Sequence, residues 1–221
     1  VPASLLSDEP ETVVLLQRRL MCGVGAAGVF AVGMAARQAA PRRRRDAVGY
    51  TAAGLAAIYP GFWINDGLIM SESLGVLTVA TAIWATYRML DAPSARRVAL
   101  LGAVIGFAAL TRAEALLLAP LLVVGVVLTR RVPLAERPQP RQRMKWFAAG
   151  TAAGVLVLAP WVGPNITRFN DPTTLSTNDG LTLLGTNCDP AWNGSSKGLW
   201  VLSCIRAVDS DRDGVDDWDE F

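Results

Sequence analysis

Five charged side chains stand within or beside long apolar runs, where charge is expensive: Asp66, Glu72, Arg112, Glu114 and Arg168. These residue types suit group transfer. A carboxylate can take a proton from an acceptor hydroxyl, and a guanidinium can grip a phosphate through two parallel hydrogen bonds. The segment Tyr59–Leu74, YPGFWINDGLIMSESL, carries Asp66 and Glu72 and contains no Lys or Arg. Ionisable residues at membrane depth are costly and therefore candidates for function. Plainer roles stay open. Asp66 can cap the helix that follows, and Arg112 can anchor a helix end at a membrane interface. Arg112 and Glu114 are two residues apart, so on a helix they do not face one another. Each then needs another partner, and Asp66 and Glu72, on the same side of the membrane, are the candidates at hand.

Three further groups could do chemistry. Cys188 and Cys204 lie in the polar C-terminal stretch, and an oxidising compartment would join them as a disulfide; two separate thiols are the other reading. Cys22 lies in an apolar run and reads as a small apolar residue. The tail Asp209–Glu220, DSDRDGVDDWDE, fits the D-x-D-x-D-G-x5-E calcium loop, with Asp209, Asp211, Asp213 and Glu220 as ligands. A solvated acidic linker has the same composition and is the favoured reading, because no exit helix follows. The chain has no histidine, so imidazole acid–base chemistry and histidine-ligated metals are excluded within it.

The elements that must hold these residues are membrane helices. Of 221 residues 52% are hydrophobic, with mean hydropathy +0.33, high for a soluble domain. Several apolar runs approach the ~20 residues that cross a bilayer. Net charge is only +2, so no nucleic-acid partner is expected. The expected fold is an all-α polytopic membrane protein. It has an N-terminal segment (1–12), about six transmembrane helices within 13–162, and an extracytoplasmic region with an acidic tail (163–221). Spans are expected near 13–36, 47–59, 74–90 and 146–162, with a further apolar stretch over 98–128. Residues 37–46, 88–97 and 129–145 hold fourteen of the twenty-one Lys and Arg. By the positive-inside rule those loops are cytoplasmic, and residues 60–73 and 163–221 lie outside. Loops 91–97 and 129–145 are then on one side, so residues 98–128 must cross an even number of times. A hairpin of two short arms with TRAE, Thr111–Glu114, at its apex meets that condition. The chain starts at Val1 and ends in an acidic run, which reads as a fragment of a longer protein.

Three stretches resemble the GT-C glycosyltransferases. Pro160–Trp161 with Asn165 and Arg168, followed by Thr177–Asn178–Gly180 and Gly185–Asn187, is similar to the segment after the family's late span, although Asn here precedes Arg. GAVIGFAALTRAEALLLAP is similar to its glycine-rich helix and LTR-x-E segment, and AAIYPGFWINDGLIMSESL to its second acidic motif. The polyprenyl-phosphate-dependent branch, with protein O-mannosyltransferases and aminoarabinose transferases, is the most similar. The resemblance implies a multi-pass cell-membrane enzyme that moves a sugar from a polyprenyl-phosphate carrier to an extracytoplasmic acceptor. It implies that Asp66 and Glu72 help bind the sugar or a divalent metal ion; Arg112 and Arg168 are the candidates to hold the lipid phosphate, and Glu114 is expected in the same substrate-binding cavity. The family's catalytic Asp would precede residue 1, which leaves the catalytic residue unknown here. Two other classes remain: a transporter or flippase of a lipid or small solute, and a membrane-tethered calcium-binding module.

Overall fold

A computed structural model describes residues 10–127, 139–168, 175, 183–194 and 196–205. The helices follow the apolar runs and stop at their breakers. Helix α1 (Pro10–Ala39) starts with a proline, which the first helical turn tolerates, and ends just before Pro41. A 3₁₀ turn over Arg42–Arg44 leads into α2 (Arg45–Ile58). Tyr59 is extended, as a residue before proline prefers, and α3 (Pro60–Gly67) leaves at 52° to the axis before it. A short turn follows in which Ile69 takes a φ of 56°. That left-handed conformation is strained for a β-branched residue. Helix α4 (Glu72–Asp91) comes next, then α5 (Ala95–Thr111), capped by the Ser94 hydroxyl, which accepts from the Arg97 amide at 3.4 Å. Arg112 is extended, a 3₁₀ segment covers Ala113–Leu118, and α6 (Ala119–Val127) and α7 (Pro140–Arg168) follow. Short helices α8 (Asp189–Trp192) and α9 (Leu202–Ile205) come last. No strand occurs among the described residues.

Among the described residues three helices are long and apolar enough to cross a membrane: α1, α4 and α7. The bent stretch Arg42–Gly67 makes a fourth if its two parts form one span. At ~1.5 Å per residue the twenty residues of α4 measure about 30 Å, the thickness of a bilayer's hydrocarbon core. In the most apolar window of α7 only 6% of residues are buried within the protein. That surface requires an apolar solvent. Inside α4, the hydroxyls of Thr78, Thr81 and Thr86 return to carbonyls of their own helix, at 2.9, 2.6 and 2.8 Å. No polar atom of theirs is left facing hydrocarbon.

The 98–128 stretch reverses at Arg112, and α5 packs against both the 3₁₀ segment and α6. The turn has the form of the expected hairpin. Its arms are the seventeen residues of α5, which open with Arg96 and Arg97 near their start, and a 3₁₀ segment joined to the short α6. Neither arm reaches the length of a typical span.

The chain divides into two compact units, Val1–Pro160 and Trp161–Phe221. The first is built around Met89, Val98 and Leu101, all fully buried, with Ala82, Ala85, Ile105 and Leu122 beside them. Helices approach closely where glycines meet. A Cβ on Gly106 of α5 would lie 2.7 Å from the Gly154 carbonyl oxygen of α7, and one on Gly154 would lie 3.0 Å from the carbonyl oxygen of Gly102. Both partners carry glycines four apart, the spacing that lets membrane helices touch backbone to backbone. In the same way α1 meets α2, where a Cβ on either Gly33 or Gly49 would lie 3.1 Å from the other's carbonyl oxygen.

In the second unit Cys188 and Cys204 form a disulfide, with Cα atoms 6.1 Å apart. The Val201 amide donates to the Gly185 carbonyl at 2.8 Å, and Gly185 lies against the Trp200 ring. The candidate calcium ligands Asp209, Asp211, Asp213 and Glu220 lie outside the described residues.

Candidate functional site

Glu72 opens α4, where the helix's exposed amides favour a negative charge. Its Oε1 accepts from Arg112 Nη1 at 3.0 Å. The stem of Arg112 runs along α4, so that a Cβ on Gly75 would touch its Cδ at 3.7 Å. Glu72 Oε2 is buried and has no hydrogen-bond partner. Glu114 Oε2 lies 3.9 Å from Arg112 Nε. The expectation that Arg112 and Glu114 face apart assumed a helix through both. The structure corrects it: α5 ends at Thr111, and the extended Arg112 turns its side chain between Glu72 and Glu114.

Asp66 sits near the end of α3 and is 8% exposed. The Ser73 hydroxyl donates to its Oδ1 at 2.5 Å. Its carboxylate fills the space that a side chain at residue 25 of α1 would take, so Gly25 is what admits it. The strained Ile69 lies on the turn between the two carboxylates. Asn65 anchors the last turns of α3 by donating to the Gly61 carbonyl at 2.7 Å, and Tyr59 meets Phe62 edge to face.

Asp66 and Glu72 line one crevice with Gly25, Phe62, Ser73 and Val76. Its volume of about 10 Å³ leaves room for at most one water. A sugar therefore cannot lie between the carboxylates in this arrangement. Arg112, paired with Glu72, and Glu114 are exposed. Four of the five charged candidates thus come together at one end of the first unit. Arg168 ends α7 in the second unit and is described there alone.

Ser73 and Gly25 were not singled out from sequence. Ser73 follows Glu72 directly and looks like an ordinary helix-start serine, while Gly25 is one of several glycines in α1. No local pattern pairs either with Asp66. Among the described residues no three Asp, Glu, Cys or His side chains cluster as a metal site.

A family model described as dolichyl-phosphate-mannose-protein mannosyltransferase matches residues 4–163, a range that contains Asp66, Glu72, Arg112 and Glu114. No curated protein and no solved structure matches the chain significantly.

Proposed function

The chain belongs to the dolichyl-phosphate-mannose-protein mannosyltransferase family, and from that membership we propose that it transfers a sugar from a polyprenyl-phosphate carrier to an acceptor at the outer membrane surface. The observation that carries this reading to particular residues is the Glu72–Arg112 ion pair beside the buried Asp66. In the transfer, the bond from the sugar's anomeric carbon to the phosphate oxygen breaks, and the phosphate leaves with the electron pair. The acceptor hydroxyl bonds to that carbon and gives its proton to a carboxylate base. Charge builds on the leaving phosphate, and a fixed cation beside it lowers the barrier. Arg112 takes that role: it is exposed, and its guanidinium is already oriented by Glu72 and Glu114. Arg168 is proposed as a second phosphate ligand. Glu72 orients the Arg112 guanidinium and Asp66 holds the turn before α4 through Ser73, so both act from behind the open face, and no residue of this chain is assigned as the base.

A divalent cation fits the same corner through Glu72 Oε2, the buried oxygen without a partner, and Asp66. Bound there it would supply positive charge near the leaving group. The described residues offer two carboxylates for it and no third.

The topology belongs to this reading. Six crossings, with residues 98–128 as a double crossing, place Glu72 and Arg112 outside and the arginine-rich loops inside. A transfer assay on membranes containing the expressed protein tests the function, using polyprenyl-phosphate sugars and wild-type, Arg112→Ala and Glu72→Gln proteins. Loss of transfer in the variants with retained expression is the expected result. Wild-type rates in both would place the site elsewhere.

A further inference from the structure

The opposite end of α4 carries a second charged assembly that sugar transfer does not use. There α1, the 3₁₀ turn, the start of α2, α4 and the start of α5 line an open cavity of about 550 Å³. Five guanidiniums line it, those of Arg37, Arg42, Arg45, Arg88 and Arg97, against one carboxylate, Asp91. Part of this charge is already engaged. Arg37 pairs with Asp46 at 2.7 Å, and Arg45 with Asp91 at 3.4 Å. Asp91 also accepts from Gln38 at 2.6 Å. Arg97 donates to the carbonyls of Arg88 and Ala92, which close α4. Counting Asp46 as well, five cations still face only two anions. Arg88 lies over the Trp84 ring, 5.0 Å from its centre, and Arg42 has no carboxylate partner among the described residues.

A second observation says what kind of anion fits. A groove of about 330 Å³ adjoins the cavity and shares Met34 and Arg37 with it; the Arg37–Asp46 pair lies at that end, and the rest of its lining is apolar or aromatic. It runs between α1 and α2 along Phe30, Gly33, Tyr50 and Ala53. The close approach of Gly33 and Gly49 forms its floor. Phe30 and Tyr50 stand open on its rim, 68% and 79% exposed. A soluble phosphate compound would use the basic cavity and leave the groove empty. An amphiphile with a phosphate head and an acyl chain matches both parts in sequence.

We propose that this cavity and groove bind an anionic phospholipid of the membrane leaflet at the Asp91 end of α4, with its phosphate among Arg37, Arg42 and Arg88 and one acyl chain between α1 and α2. Basic pockets between helices at the membrane surface are suited to such headgroups. The site is separate from Glu72 and Arg112, about 30 Å away along α4, and does not depend on the sugar-transfer reading.

The test is native mass spectrometry of the full chain in detergent, offered equal amounts of phosphatidylglycerol and phosphatidylcholine. Wild type should retain phosphatidylglycerol preferentially, and millimolar inorganic phosphate should not displace it. The double variant Arg42→Gln/Arg88→Gln should lose the preference by about thirtyfold, since each of the two cations near an anionic lipid surface contributes on the order of 1 kcal/mol. Arg96→Gln, beside Arg97 at the start of α5 but outside the cavity, should keep it. Circular dichroism checks folding, and Arg42→Gln alone replaces the double variant if that one does not fold. Equal retention of the two lipids by wild type overturns the proposal. So does an unchanged preference in the cavity variant. Displacement by inorganic phosphate overturns it in favour of a soluble phosphate ligand.

Discussion

Arg112 Nη1 meets Glu72 Oε1 at 3.0 Å, across forty residues of sequence. The contact ties the break after α5 to the first turn of α4. At that break the extended Arg112 reaches a carboxylate. Glu114 on the far side makes Arg112 a shared cation between two anions. A phosphate arriving at the exposed face would compete with Glu114 before it disturbed Glu72, because the Glu114 contact is the longer, at 3.9 Å, and more open.

Arg112→Ala should therefore lower transfer from a polyprenyl-phosphate sugar by about a hundredfold, the scale of removing one preorganised charge-stabilising donor. Glu72→Gln should lower it less, by about tenfold, because the amide keeps the shape and still accepts from Arg112. The double variant should be no worse than Arg112→Ala alone, since residues acting as a unit give non-additive losses. Additive losses, read from initial rates, would mean that the two act separately.

Gly25 tests the Asp66 pocket. A methyl group there would overlap the Asp66 carboxylate. Gly25→Ala should destabilise the protein by about 1–3 kcal/mol, as overpacking does, and should also reduce transfer by moving Asp66 off Ser73. Gly23→Ala, where the added carbon meets nothing within 4 Å, should leave melting temperature and transfer as in wild type. Equal behaviour of the two variants would show that Asp66 is not held against α1.

Helix positions were legible because apolar runs and prolines set them: Pro60 separates α2 from α3, and the polar breaks bound α1, α4 and α7. The reversal at TRAE was legible from charge parity alone, without any turn signal. The pairing of Glu72 with Arg112 was legible only as a need, since an isolated charge beside hydrocarbon must find a partner. Which partner it finds depends on tertiary approach, and that is set by glycines. Gly25 beside Asp66, and Gly102–Gly106 crossing Gly150–Gly154, lie far apart in sequence, and nothing local distinguishes them from the other glycines of the same helices. The extended backbone at Arg112 was hidden for a related reason: the residues around it have ordinary helix propensity, and the ion pair outweighs that small preference.

The α5–α7 crossing should be intolerant of bulk. Gly150 faces Val98, with a Cβ position 2.9 Å from its Cγ1 and 3.0 Å from its carbonyl oxygen. Gly150→Val should destabilise the helical unit by about 3 kcal/mol or abolish its assembly, given the strain of overpacking. Gly163→Val on the same helix, with open space at its Cβ, should be tolerated. Thermal unfolding in detergent distinguishes them, and equal midpoints would refute the crossing.

Orientation can be tested with three introduced cysteines, one at a time, on a Cys22→Ser background. The arginine-rich loops at residues 37–46, 88–97 and 129–145 belong inside by the positive-inside rule. Arg141, exposed at the start of α7, should then react with a membrane-impermeant maleimide only after the cells are opened, when present as Arg141→Cys. Trp63 lies on α3, 56% exposed, in the segment assigned to the outer surface. Trp63→Cys should react in intact cells. The two outcomes together fix an odd number of crossings between residues 63 and 141, and α4 with the two arms of the 98–128 hairpin would give three. Counting α4 alone, with both arms lying at the interface, gives the same parity, so a third cysteine is needed at the apex. Ala113→Cys should react from outside if α5 crosses, and should be protected in intact cells if the hairpin lies at the inner surface. The second result would separate Arg112 from an outer donor and remove the proposed site, even with the family membership unchanged.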